Sequence, residues 1–193
     1  MNIFFLDSDP QIAATYMCDK HVIKMILESA QLLCTCHHIT GSLMENKNLY
    51  PDIPSKFYKL THKNHPCSKW LREHKRNYEW LATHAHYLCN EYSSRYNNKT
   101  HASSPLIHWL LNNDAPIRLW RYQNYQKGLS EDNTYPSNDY YLGGYLITKP
   151  PQCMPEEYKH ENVVVAYRNY YKFDKQKNIN CSYTKREKPD WLS

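Results

Sequence analysis

The stretch from Asp19 to about His38 constrains the fold more than any other part of this chain. Val22, Ile23, Met25, Ile26, Leu27, Ala30, Leu32 and Leu33 occur there without a proline or glycine, and they spread over nearly every side of a helix. A helix with that pattern is expected in the core. Four residues interrupt it, His21, Lys24, Glu28 and Gln31, at spacings of 3, 4 and 3 that share one helical face. Burying such groups without partners is costly, so the stripe either lines a cleft or forms an internal hydrogen-bond network. A carboxylate between an imidazole and an ammonium can act as acid or base. The plainer reading makes Glu28 an ordinary ion-pair partner of Lys24 or Lys20.

Around this helix the pattern predicts more helices. Asp9 as N-cap with Pro10 at the first helical position starts a short one, and Asp19 can cap the next. Asn64 or His65 can cap a helix with Pro66 in its first turn. Trp70, His74, Asn77, Tyr78, Leu81, Ala85, Leu88 and Tyr92 then continue it to about Arg95. Another starts at Ser104-Pro105, and a last one near Pro155 runs through Lys172. Residues 114–149 read as irregular and rich in aromatics, and the four glycines argue against a sheet of tight hairpins. The expected architecture is all-α, one compact helical domain over 1–193. It carries an irregular central insertion at about 100–154 and a basic surface tail at 176–193.

Charge and aromatics point to a polyanion. Lys56, Lys59, Lys63, Lys69, Arg72, Lys75 and Arg76 face one acid, Glu73, in a 21-residue span, a local excess that suits phosphate contacts. A solvated helix face is the alternative. Tyr167, Arg168, Tyr170, Tyr171 and Lys172 suggest a surface that stacks on bases and pairs with phosphates; a tyrosine-rich helix packed into the core would show the same residues. The seven cysteines form no disulfide framework, and with no export signal or 18-residue apolar run they read as reduced thiols in a cytoplasmic protein without a membrane span. His62, His65, Cys67, Cys34, Cys36, His37 and His38 raise zinc, but no CxxC pair or finger spacing is present. No metal and no cofactor are therefore expected. GxxxxGK[ST], GxGxxG and GxSxG are all absent.

Asp19-Lys20-His21-Val22, with Glu28 six residues later, resembles the start of the pyrimidine-dimer DNA glycosylases of T-even phage endonuclease type. A bacterial dimer-glycosylase-like branch is more similar still: it shares an apolar start, Lys24, Glu28, Gln31, Asn64-His65-Pro66 and Trp70. The run Ala166–Lys172 resembles the family's C-terminal DNA-contacting segment. The resemblance implies a DNA N-glycosylase with AP-lyase activity on damaged or modified pyrimidines in double-stranded DNA, acting as a monomer on a flipped nucleotide. It also implies that an N-terminal amine attacks C1′, the base leaves, an imine forms, and Glu28 handles protons before β-elimination. The amine here is that of Met1, because Asn2 disfavours removal of the initiator methionine. Leu27 stands where the phage enzymes have an arginine just before the catalytic Glu, and their next arginine has no equivalent here unless Lys24 substitutes. The implied catalytic set is Met1, His21, Lys24 and Glu28. Asn2, Asp19, Gln31, Asn64, His65, Lys69, Trp70, Arg72, Arg76, Tyr167, Arg168, Tyr170, Tyr171 and Lys172 would face substrate or DNA. The phage-like start suggests a viral source and so a host cytoplasm. A base-modifying enzyme on the same fold, or a non-catalytic nucleic-acid-binding protein, are the other readings.

Overall fold

A computed structural model describes residues 2–41, 54–115, 117, 120–121, 124, 139–142 and 144–193. Its helices are α1 (Pro10–Thr15), α2 (Asp19–Thr40), α3 (Pro66–Glu73), α4 (Lys75–Arg95), α5 (Ser104–Asn112) and α6 (Val163–Tyr170). α6 runs on into a π-helical turn, Tyr171–Lys175, and a last short helix, Gln176–Asn178. Among the described residues the fold is all-α apart from one antiparallel hairpin, β1 (Asp139–Leu142) with β2 (Tyr145–Thr148). That hairpin corrects the expectation that 114–149 is irregular throughout. Gly144, at φ 86°, lies in the turn between its strands and supplies a left-handed residue there. Most of the central segment's other residues lie outside those described.

Local chemistry explains the element ends. The Asp9 carboxylate accepts from the Gln11 and Ile12 amides, as an N-cap should. α2 ends where Gly41 takes φ 79°, the left-handed C-cap that glycine adopts without strain. The single helix expected from Pro66 to Arg95 is in fact two. His74 adopts an extended backbone (φ −150°, ψ 142°), and its ring accepts from the Arg76 amide, capping α4. The last helix starts at Val163 rather than near Pro155. The Asn162 side chain caps the Val164 and Val165 amides, while residues 156–158 form only a 3-10 turn.

α2 packs against α3, α4 and α5, and α1 packs on α4. The N-terminal segment Ile3–Leu6 is buried among them, with Phe5 between Trp70 (centroids 5.4 Å apart) and Trp80 (4.5 Å). Asn77 secures β2 to the helices. Its Nδ2 donates to Trp70 O and Thr148 Oγ1, each at 2.7 Å, and its Oδ1 accepts from the Thr148 amide at 3.0 Å.

One expectation about surfaces changes. α2 is not apolar-buried all round: Ile23 and Leu27 are 41% and 37% exposed, on the same side as Lys20 and Lys24. The tail is mostly exposed but tied down by specific bonds. Asp19 N–H donates to Ser182 O, the Asp19 carboxylate accepts from the amide and hydroxyl of Thr184, Arg186 pairs with Glu91, and Leu192 is buried. The residues 182–192 therefore strap the start of α2 to the end of α4.

Candidate active site

Three of the four polar residues on α2 line one cavity of about 300 Å³. His21, Lys24 and Glu28 meet Asn2 and Phe4 from the N-terminal segment and Cys153, Tyr170, Lys175 and Ile179 from the second half of the chain. Gln31, one turn further on, is half-buried outside that lining. Periodicity put the stripe on one face; the N-terminal segment, lying across that face, makes it a cleft.

Glu28 is the centre of the arrangement. Its side chain is 13% exposed, and Oε1 lies 3.4 Å from Lys24 Nζ. Oε2 accepts from the backbone amide of Asn2 at 3.2 Å. The ion pair and the cleft thus coexist. Asn2 itself is fully engaged: Nδ2 donates to Cys153 O at 3.0 Å, and Oδ1 accepts from the Ile3 amide and the Tyr167 hydroxyl. It acts as a tie between the start of the chain and the segment around Cys153. Met1 lies outside the described residues.

His21 is 6% exposed and stacks on Phe4 with centroids 4.7 Å apart. Burial, assisted by the charges of Lys24 and Lys175, pushes its pKa down to about 4, so it is neutral near pH 7. The Tyr171 oxygen accepts from the Cys18 amide at 2.9 Å, which leaves the phenol proton free to donate to His21 Nδ1, also at 2.9 Å. That assignment leaves the proton of the ring on Nε2.

The C-terminal run divides by helical period. Tyr167 and Tyr171, four apart, are buried, and burial holds both phenols well above their usual range. They are core residues, contrary to the expected stacking surface. Arg168 turns inward, donating to Leu6 O at 2.7 Å and pairing with Asp7 at 2.8 Å. Lys172 donates to Ser193 O. Only Tyr170 reaches the cavity, with Lys175 Nζ 4.4 Å above its ring. The π turn brings Lys175 there, and such turns often mark functional sites.

Other expected DNA contacts have structural partners instead. Asp19 is 6% exposed, bonded to Arg95 and Thr184, and does not line the cavity; hydrogen bonds from those residues hold its carboxyl below the usual range against the opposing effect of burial. It is also the first residue of α2 rather than its cap. Trp70 is buried and donates to Thr148 O. Arg72 clamps the loop before α3 by donating to Ser68 O and Lys63 O. Asn64, Lys69 and Arg76 are exposed, so part of the basic stretch does face solvent.

The residues first considered for zinc gather only in part. Cys34 and Cys36 are buried, with burial pushing both thiols up to about 12; His37 bonds to Tyr78 and His38 to Tyr58 O. A different set does meet. A ring nitrogen of His65 and the sulfurs of Cys67 and Cys153 all lie within 4.8 Å of one another. The Cys67 and Cys153 sulfurs are 3.7 Å apart, and the hydrogen bond between them holds the Cys153 thiol below its usual range. His65 and Cys67, two residues apart, are among those first candidates; Cys153, 86 positions from Cys67, carries no local signal.

A family model described as pyrimidine dimer DNA glycosylase matches residues 1–104, more than half of the 193-residue chain. No curated protein and no solved structure matches.

Proposed function

Since the chain belongs to the pyrimidine dimer DNA glycosylase family, we propose that it removes damaged pyrimidines from DNA through the Met1 amine, with Glu28 as its proton-handling carboxylate. The observation that carries this reading is the 3.2 Å hydrogen bond from the Asn2 amide to Glu28 Oε2. The α-amine is three covalent bonds from that amide nitrogen, so covalent geometry keeps it within reach of the carboxylate. An α-amine ordinarily titrates near pH 8, about 8 in model peptides, so a useful fraction is neutral and nucleophilic at pH 7.

The steps follow. The amine lone pair forms a bond to C1′ of a flipped nucleotide; the N-glycosidic bond breaks and the base leaves with its electron pair, taking a proton from solvent. Loss of the amine proton and opening of the C1′–O4′ bond give a protonated imine, with Glu28 relaying the proton to O4′. Removal of a C2′ proton then expels the 3′ phosphate by β-elimination. His21, neutral and carrying its proton on Nε2, offers a hydrogen bond to the flipped nucleotide. Lys24 and Lys175 supply positive charge at the cavity for backbone phosphates. Phe4 and Tyr170 supply aromatic surface beside it.

Borohydride trapping on duplex oligonucleotides bearing an abasic site or a cyclobutane dimer tests this. The expected result is a covalent adduct mapped to Met1, with turnover reduced by about 10²-fold or more in Glu28→Gln, the usual size of an acid-base contribution. Absence of both adduct and strand cleavage on every lesion would overturn it.

A further inference from the structure

We propose that His65, Cys67 and Cys153 form a binding site for one borderline-soft divalent cation of the zinc class, beside the cavity, sharing with it only the wall residue Cys153 and none of the groups proposed to break bonds. Zinc binds thiolate sulfur at about 2.3 Å, and a tetrahedral centre with two such bonds sets the sulfurs about 3.8 Å apart. Cys67 and Cys153 sulfurs are 3.7 Å apart as they stand. The third donor, an imidazole nitrogen, completes a two-sulfur, one-nitrogen set with every pair inside 4.8 Å.

The donor type matters as much as the spacing. Two soft sulfurs and an imidazole select zinc-like ions over magnesium or calcium, which take oxygen ligands. The scaffold is already held in place. His65 is the N-cap of α3, Cys67 lies in its first turn, and Cys153 is fixed by its carbonyl accepting from Asn2 Nδ2 and by its amide donating to the Tyr167 oxygen. Cys153 also lines the cavity, so an ion has a route in from solvent. Three protein donors leave a fourth position for water or a group entering the cavity. Binding balances as one divalent cation in and two thiol protons out to solvent, so affinity rises with pH.

Cobalt(II), titrated into the full chain under oxygen-free conditions with a non-coordinating reductant, reads the site directly. One equivalent should produce a thiolate-to-cobalt charge-transfer band and tetrahedral d–d bands, both removed by zinc(II). Cys67→Ser and Cys153→Ser should each abolish the charge-transfer band or weaken binding by at least about 10²-fold, the scale of losing one ligand or its support. Cys89→Ser and Cys181→Ser should leave it unchanged. A second measurement needs no variant: zinc(II) should protect Cys67 and Cys153, and no other cysteine, from alkylation mapped by mass spectrometry. No bands at stoichiometric cobalt, bands that persist in Cys153→Ser, or protection of other cysteines would overturn the proposal. These readouts do not involve DNA, so failure of the glycosylase reading leaves them untouched.

Discussion

Replacing Asn77 with leucine tests how the hairpin, and through it the cavity wall, is held. The two side chains share one branched skeleton of four heavy atoms, so leucine removes the hydrogen bonds while keeping the site filled, and any overpacking adds to the loss. Three are lost: Nδ2 to Trp70 O, Nδ2 to Thr148 Oγ1, and the Thr148 amide to Oδ1. Asn77 is fully buried, so water does not replace them. The Trp70 carbonyl and the Thr148 amide each lose this partner, at ~1–3 kcal/mol per buried group left without one. Thr148 Oγ1 keeps its bond to Glu73 at 3.0 Å and loses less. The expected loss is therefore ~2–6 kcal/mol in urea unfolding, with the denaturant slope unchanged. A double-mutant cycle with Thr148→Val should show non-additivity of at least ~0.5 kcal/mol, because both changes delete the same Nδ2–Oγ1 bond. β2 leads directly into residues 149–155, whose Pro151 carbonyl accepts from Tyr167 and whose Cys153 lines the cavity. Alkylation of Cys153 should thus become faster in Asn77→Leu. A loss under ~1 kcal/mol, or strict additivity with Thr148→Val, would refute the view that this amide carries the junction.

Arg95→Met should destabilise by ~3–5 kcal/mol in the same assay, because the fully buried guanidinium bonds Asp19, Glu91 and the Met17 and Thr15 carbonyls, and a broken buried pair leaves uncompensated charge. Acid should unfold the chain between pH 6.5 and 4. Burial holds His21, His37 and His84 at about 4, so the unfolded state binds more protons in that window, and the stability present above pH 6.5 falls as the pH drops, by up to roughly 4 kcal/mol per pH unit for the three together. Circular dichroism that stays flat from pH 7 to 4.5 would contradict this.

The parts of the molecule legible in the sequence are those written in local chemistry. The Asp9 cap, the Gly41 stop, the start of α5 and the stripe of α2 all follow from residues within a few positions of one another. The helix break at His74 was hidden because the residues on either side keep apolar periodicity; only the cap geometry of His74 and the reach of Asn77 back to Trp70 end α3 there. The tyrosine run misled for a related reason. Its composition suits a nucleic-acid surface, but the four-residue spacing of Tyr167 and Tyr171 sends both to the core. Cys153 and Lys175 carried no local signal at all, since each acquires its place only by long-range contact with the N-terminal segment or α2.

That division has a consequence for how the site works. The family match ends at residue 104, so the shared part of the chain supplies Asn2, His21, Lys24 and Glu28. The opposite wall, Cys153, Tyr170, Lys175 and Ile179, comes from beyond it. On the proposed mechanism the first set performs bond cleavage and the second sets the shape and charge that a flipped nucleotide meets. Changing the second wall should therefore alter which lesion is accepted before it alters the chemistry. Lys175→Ala is the sharpest case: it removes the cation over Tyr170 without touching Glu28 or the Asn2 amide. Trapping on an abasic site, where no base must be recognised, should survive that change better than trapping on a dimer. Equal losses on the two substrates would place Lys175 in the chemistry itself and would erase the distinction between the two walls.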